Sequence, residues 1–409
     1  MKLLLLPAYF TPELVSDTPL DDARYEAFAK SGMDMTLFTP LPTRGVSKQD
    51  KDKYRGIKEE KMYDGKMDVH RFTMVDERKN PLLRAWRYFM CFAKQYYYGS
   101  KQKNVDAIFV VSTPPIQGML AAFLKKRLHC KFVYNLQDIF PDTLVGAGLA
   151  KRGGLLWKIG RKIENYTYSN ADKIIVISED FKRNIMAKGV PEDKIEIVYN
   201  WVDEKTVMPV DKDKNPLFEE FGLSREKFTV VYAGNLGNAQ NLLIMLDAAA
   251  RLSDVQFAIF GTGGLEKEIK GIRGKKNLQN LFVNPLQPYE RVSYVYSLGD
   301  ACVVSCKGGL GGSALPSKTW TIMSCGRPVL ASFDEGELKD TIEKNHCGVF
   351  THAENVDEFV KAIVELKGDK EKCQLMGANA RSFILANLTK DAGTMKYVSI
   401  IRSLVNSQG

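Results

Sequence analysis

Twelve short apolar runs of five to nine residues recur along the chain, with helix-patterned segments between them. The first half holds KLLLL (2–6), MTLFTP (35–40), AIFVVS (107–112), KFVYNL (131–136), KIIVIS (173–178) and IEIVYN (195–200). The second half holds FTVVYAGN (228–235), VQFAIFGTG (255–263), LFVNPL (281–286), ACVVSC (301–306), PVLAS (328–332) and GVFTH (348–352). Runs that are continuously apolar, rather than alternating, belong to strands buried on both faces of a parallel sheet. Between them, segments such as NLLIMLDAAARL (241–252) and NVDEFVKAIVELK (355–367) carry a helical period. Six strands plus six, each set alternating with helices, predict two doubly wound, Rossmann-like α/β domains.

The polar stretch from Asp203 to Asn215 is the natural linker, giving a first domain of 1–203 and a second of 204–387. A further helical segment, LTKDAGTMKYVSIIRSL (388–404), follows what is already a complete second domain. It is expected to cross back, so that 388–409 completes the first. Residues 44–66 form a charged insertion, expected as a loop.

Several classes are disfavoured. The four-leucine run near the N-terminus is followed by Pro7 and Pro12, with no small-residue cleavage site, so it reads as a buried strand and not a signal peptide. No stretch approaches the roughly 18 apolar residues of a spanning helix. The seven cysteines are an odd number without a CxxC pair, which fits neither a disulfide framework nor a zinc site. Reduced thiols point to the cytoplasm. The net charge of +9 is uneven: residues 1–200 carry 33 Lys and Arg against 24 Asp and Glu, while 201–409 carry 25 of each. Such a basic half suits a nucleic acid or an anionic membrane leaflet.

Open α/β sheets bind ligands beyond the carboxyl ends of their strands, so the loops after the strands are the candidates. One strand of the second half ends in Gly234-Asn235-Leu236-Gly237-Asn238-Ala239-Gln240, and the next in Gly261-Thr262-Gly263-Gly264, both leading into helices. The fullest signal is Gly308-Gly309-Leu310-Gly311-Gly312-Ser313-Ala314-Leu315-Pro316-Ser317-Lys318. Lys318 is telling, because a cation in a helix's first turn opposes the helix dipole unless an anion sits there. The loop lacks P-loop spacing, and the first βα turn, Pro7 to Pro12, lacks GxGxxG.

In the first half, KFVYNL runs into Gln137-Asp138-Ile139-Phe140-Pro141-Asp142, two carboxylates placed for a base or substrate anchor, or equally for capping a turn. No Asp-x-Asp closes an apolar strand, so no metal site is expected. Residues 84–101, RAWRYFMCFAKQYYYGSK, interleave Arg84, Arg87, Lys94 and Lys101 with aromatics, as interfacial membrane helices do and as packed helices also can.

Along nearly its whole length the chain resembles glycosyltransferase family 4, the retaining GT-B enzymes, and within it the WbuB-like branch that builds bacterial O-antigen, capsule and exopolysaccharide. The resemblance rests on STPPIQGMLAAFLKK (112–126), QDIFPDTLVGAGLA (137–150), ADKIIVISEDFKRNIMAKGVPEDKIEIVYNWVD (171–203), AGNLGNAQNLLIMLDAA (233–249) and LPSKTWTIMSCGRPVLAS (315–332). It implies two domains facing across a cleft, the second holding a nucleotide sugar, expected to be a UDP sugar, and the first a lipid-linked or glycan acceptor. Gly234, Asn235 and Gly237 then match the phosphate-facing turn, Asn284 to Leu286 the strand end that contacts the base, and Lys318 the lysine of the PSK segment. Asp138 and Asp142 match the acidic segment of the acceptor domain. Gly261, Gly263, Gly311, Gly312 and Ser317 complete the expected donor site. The sequence departs from the family at its two glutamates, which fall on Ser313 and Thr321, and at its diphosphate-binding Arg and Lys, which fall on Asn235 and Gln240. Lys318 is therefore the main candidate cation. The expectation is a cytoplasmic, metal-independent transferase that binds no nucleic acid, docks on an anionic membrane through 84–101 and needs no cofactor. A nucleotide-sugar 2-epimerase of the same fold, or a catalytically inactive partner in a polysaccharide assembly complex, are the alternatives.

Overall fold

The computed structural model describes residues 1–13, 18–74, 81–146, 148, 150–309 and 315–407. They fall into two compact units, Met1–Tyr199 with Asp391–Gly409, and Asn200–Lys390.

The first unit is built on eight strands: β1 (Lys2–Leu5), β2 (Asp34–Pro40), β3 (Glu59–Met62), β4 (Met67–Phe72), β5 (Ala107–Val111), β6 (Lys131–Leu136), β7 (Lys173–Val176) and β8 (Ile195–Ile197). Their order is β3-β4-β2-β1-β5-β6-β7-β8. Every pair is parallel except β3–β4. Helices α1 (Thr18–Lys30), α2 (Lys48–Tyr54), α3 (Pro81–Gly99), α4 (Ile116–Leu128), α5 (Asp142–Gly146), α6 (Leu155–Asn170) and α7 (Glu179–Ala187) connect them. The leucine run forms central strand β1, in which Leu3, Leu4 and Leu5 have no exposed surface. Strand order reverses between β1 and β5, which makes their carboxyl ends the switch point of this sheet.

The charged insertion at 44–66 is not a loop. Ser47 caps α2, its hydroxyl accepting from the Asp50 amide at 3.0 Å, and β3 pairs antiparallel with β4 at the sheet edge. Neither β3 nor β4 reads as a strand in sequence, because Glu59–Met62 is the sheet edge and Met67–Phe72 is not continuously apolar. In β4, Met67, Val69 and Arg71 turn inward while Asp68 and His70 face outward. That alternation differs from the continuous apolar runs of the sheet centre.

In the second unit all six expected strands form: β9 (Thr229–Asn235), β10 (Gln256–Thr262), β11 (Leu281–Asn284), β12 (Ala301–Ser305), β13 (Val329–Phe333) and β14 (Gly348–His352). They run parallel in the order β11-β10-β9-β12-β13-β14, with the switch point between β9 and β12. Helices α8 (Leu217–Glu220), α9 (Leu243–Arg251), α10 (Glu266–Lys275), α11 (Val292–Tyr296), α12 (Lys318–Ser324), α13 (Glu337–Lys344), α14 (Val356–Gly368) and α15 (Lys370–Asn387) pack about them. The stretch 203–215 is a packed part of this unit and not a free tether: Arg381 donates to the carbonyls of Glu204 (2.8 Å) and Val207 (3.0 Å), and Asn215 is buried.

The last helix, α16 (Lys390–Asn406), packs in the first unit almost throughout. Its Tyr397 is buried edge-on to Phe109 and donates to Asn135 Oδ1 at 3.1 Å. All seven cysteines are free and buried. Among the described residues no helix is long and apolar enough to cross a membrane.

Candidate functional site

The switch point of the second unit gathers the turn after β9 and the start of α12. β9 ends at Gly234–Asn235 and turns through a single 3-10 turn, Asn238–Gln240. That turn is fixed to the end of β12: the Ser305 hydroxyl donates to the Gln240 carbonyl at 2.5 Å, and the Lys307 amide to the Ala239 carbonyl at 2.8 Å. Gly234 has φ +139°, which side-chain-bearing residues rarely adopt, and a Cβ there would stand 3.0 Å from the Lys318 amine. Gly261, opposite Gly234 on β10, is required by packing, since a Cβ would lie 2.2 Å from the Gly234 carbonyl oxygen.

Lys318 opens α12, and its partly buried side chain lies along the Tyr232 ring with Nζ 3.9 Å from the centroid. Nζ donates to the Tyr232 hydroxyl at 2.7 Å, and that hydroxyl donates to the Asn235 carbonyl, also at 2.7 Å. Burial alone draws the amine down to about 7, because no acid among the described residues acts to hold it charged. The Tyr232 phenol is pushed up, also by burial. An amine poised at neutral pH beside a glycine turn can accept an anion.

The other candidates are placed as follows. Gly237 precedes the 3-10 turn, and Gln240 Oε1 within it is buried and without a hydrogen-bond partner. Gly263 follows β10. Ser317 is exposed immediately before α12, and Thr321 lies one turn into it. Asn284 ends β11, two strands from β9, with its amide nitrogen buried and unpaired, and Leu286 beyond it is half exposed. Gly311, Gly312 and Ser313 lie outside the described residues.

In the first unit the loop after β1 builds a polar cluster that sequence reasoning missed. Glu13 is fully buried and accepts from the amides of Phe10 (3.3 Å), Thr43 (2.8 Å) and Arg44 (2.9 Å). Burial raises its carboxyl above the usual range, against those hydrogen bonds and the charge of Arg87. Arg87, also without exposed surface, lies 4.5 Å over the Tyr9 ring and donates to Thr43 Oγ1 at 3.2 Å. This corrects the expected basic face of 84–101: Arg87 turns into the protein, and Lys94 donates to the Thr73 carbonyl at 2.7 Å. The Arg84 side chain lies outside the described residues. What α3 shows to solvent is aromatic, with Trp86, Phe89 and Tyr97 each more than half exposed.

Asp138 is exposed beyond β6, its amide donating to Ser112 Oγ at 3.1 Å. Asp142 is bound by Lys188 (2.8 Å) and Asn184 (3.3 Å), and Lys188 also reaches Glu164 at 3.0 Å. Despite partial burial, these partners hold the Asp142 carboxyl below its usual range. Among the described residues no three His, Cys, Asp or Glu side chains gather to hold a metal ion. A cavity of about 620 Å³ in the second unit lies at the opposite, amino ends of β9, β12 and β13, between Phe228, Asp300 and Pro328. Doubly wound sheets do not place ligands at that end.

Comparison with known proteins agrees with this division. Residues 25–206 match the model of Glycosyltransferase Family 4, and 213–383 that of Glycosyl transferases group 1. The chain is 25% identical over 377 residues to the putative colanic acid biosynthesis glycosyl transferase WcaI of Escherichia coli, covering 89% of this chain and 91% of that protein. It is 24% identical over 349 residues to the probable glycosyltransferase WbjE of Pseudomonas aeruginosa, covering 83% and 86%. Among solved structures, HepE of Anabaena in complex with UDP superposes with TM-score 0.72 at 15% identity, over 98% of this chain and all of the other.

Proposed function

The chain is a glycosyltransferase of the GT-B fold, family 4-like, and from that premise we propose that it moves a sugar from a UDP sugar to a lipid-linked or polysaccharide-precursor acceptor, with retention at the anomeric carbon. The observation that carries the donor half is Lys318, a lysine amine that no acid among the described residues holds charged, next to Gly234 at the switch point of the second sheet. The colanic acid role in the name of WcaI and the UDP bound by HepE support the assignment.

In this reading the anomeric carbon loses its bond to the diphosphate oxygen and gains one to the acceptor oxygen. The acceptor proton passes to the departing phosphate, so no protein nucleophile is used. Lys318 and the backbone amides of the turn after Gly234 receive the leaving group's charge, as preorganised donors do. Metal is not required, because no apolar strand ends in an Asp-x-Asp pair. Asp138, exposed beyond β6, orients the acceptor hydroxyl, and Asp142 holds the segment through Lys188.

A cytoplasmic enzyme with a lipid-linked acceptor works at the membrane. The support for docking comes from α3 and, beyond the segment expected from sequence, from α6. Leu155 is 77% exposed, with Leu156 and Ile159 about half exposed, and Lys151, Arg152, Lys158 and Lys162 are all exposed around them. Both helices follow strands β4 and β6, so their N-termini lie at the carboxyl ends of the sheet. Apolar side chains ringed by cations are the signature of an interfacial helix.

A panel of nucleotide sugars, read by thermal stabilisation and then by transfer, tests the function. UDP derivatives should stabilise the protein, and EDTA should leave transfer intact. Binding without turnover would indicate an inactive partner, and interconversion of the donor without acceptor an epimerase. A strict Mn²⁺ requirement would overturn the metal-free mechanism.

A further inference from the structure

Lysines that leave water are normally held by a carboxylate. Lys318 rests instead on a neutral phenol, and Tyr232 has no exposed surface of its own. Among the described residues the groups around the amine carry no compensating charge. From β9 it meets Tyr232 and Gly234, and the Tyr232 hydroxyl reaches the uncharged Asn235 at its carbonyl. Helix α15 meets α12 through Phe383, whose ring stacks on Trp320. Residues 310–314, LGGSA in sequence, have no titratable side chain. Among the described residues the Tyr232 hydroxyl bridges the amine and the turn, accepting from Lys318 and donating to the Asn235 carbonyl.

We propose that Tyr232 is the positioning residue of the diphosphate site, holding the Lys318 amine against Gly234 so that arrival of the nucleotide diphosphate draws one proton from solvent onto it. This rests on the donor-site reading above. No covalent bond changes: amine plus proton becomes ammonium, paired with the incoming anion, and the charge is created only when its partner is present. Departure of the nucleotide returns the proton.

The sign follows from the amine's value of about 7 in the empty site. Below that pH the amine is already charged and binding takes up little. Above it each bound UDP must bring a proton, so UDP affinity falls by about tenfold per pH unit until the bound-state value is reached.

Calorimetric titration of UDP at roughly pH 8.5, in buffers of low and high ionisation enthalpy, counts the protons directly. Close to one proton per UDP is expected, since a lysine is ordinarily charged there and Lys318 starts neutral. Lys318→Arg, whose guanidinium stays protonated, should still bind UDP with uptake near zero. Tyr232→Phe keeps the ring and its packing but loses the bridge. It should weaken UDP binding roughly three- to tenfold, the effect of a lost hydrogen bond. It should also move the pH at which affinity begins to fall to lower values, because the ammonium loses its acceptor. A purely structural tyrosine would not move that profile. UDP bound without proton uptake by the parent overturns the proposal and leaves the donor site standing. Uptake that persists in Lys318→Arg places the proton elsewhere and also overturns it, as does an unchanged pH profile in Tyr232→Phe. Failure of the parent to bind UDP at any pH refutes the donor-site reading beneath it.

Discussion

The two switch points of this chain are built on opposite electrostatic plans. In the first unit two buried or half-buried acids come with partners: Glu13 accepts three amides within the field of Arg87, and Asp142 lies against Lys188. In the second unit Lys318 has a phenol and a glycine turn but, among the described residues, no acid to hold it charged. Glu13 is held in place by those amides even though burial raises its carboxyl above the usual range. An unbalanced cation is tolerated where an anion arrives to complete it. Both sheets are doubly wound, and the contrast between them lies in how these charges are held.

The contrast breaks first at Glu13. Glu13→Ala should remove the acceptor of the Phe10, Thr43 and Arg44 amides and lower the stability of the first unit by about 3 kcal/mol, the upper range for hydrogen bonds to a charged group. Thermal melting or hydrogen exchange in β1 and β2 reads this, and UDP affinity should stay unchanged. A variant that melts like the parent would mean that the first cluster is as unfinished as the second.

Lys318 should behave in the opposite way. Lys318→Met ought to weaken UDP binding by about 1.5–3 kcal/mol, as loss of a charged hydrogen bond does, while raising stability by about 1 kcal/mol, because a poorly compensated charge leaves the interior. The pH dependence has a definite sign. A lysine whose folded value is near 7 binds fewer protons folded than unfolded between there and its usual value. Parent stability therefore rises with pH across that window, and the advantage of Lys318→Met shrinks as pH climbs from neutral toward about 10. Parallel stability curves for the two proteins would show that the amine is not desolvated.

Much of this was legible in the sequence and some was not, for identifiable reasons. Buried parallel strands announce themselves by continuous apolar runs, so all six strands of the second sheet and six of the eight in the first could be read. The strands β3 and β4 could not, since the edge strand β3 has no buried residue and β4 interrupts its buried residues with Asp68 and His70. Lys318 was visible because a cation at a helix start needs a reason. Its partner Tyr232 was hidden in the apolar run TVVYAG, although a buried tyrosine must find a partner for its hydroxyl. Glu13 sits in a proline turn without a motif, and the charges of α3 misled because composition does not say which face of a helix a residue occupies. Arg87 counted as surface charge and proved to have none of its surface exposed.

The smallest effect per residue, and the one that extends the contrast from the two sites to the two surfaces, is at the membrane. Residues 51–200 hold 28 Lys and Arg against 17 Asp and Glu, whereas 201–409 are balanced. Within the basic region α6 combines exposed Leu155, Leu156 and Ile159 with exposed Lys151, Arg152, Lys158 and Lys162. Near an anionic leaflet each cation contributes on the order of 1 kcal/mol, and salt weakens it. The leucines add insertion that salt does not touch. The protein should therefore sediment with anionic liposomes at low salt and much less with neutral ones. Lys158→Ala with Lys162→Ala should reduce that binding in proportion, and Leu155→Ser with Leu156→Ser should remove the portion that survives added salt. Neither pair should alter UDP affinity, which is assigned to the other unit. Arg87→Ala, by contrast, should lower stability, since Arg87 lies over Tyr9 and not in solvent. Equal sedimentation with neutral and anionic vesicles, or none with either, would return α6 to an ordinary surface helix and leave the two units distinguished by their switch points alone.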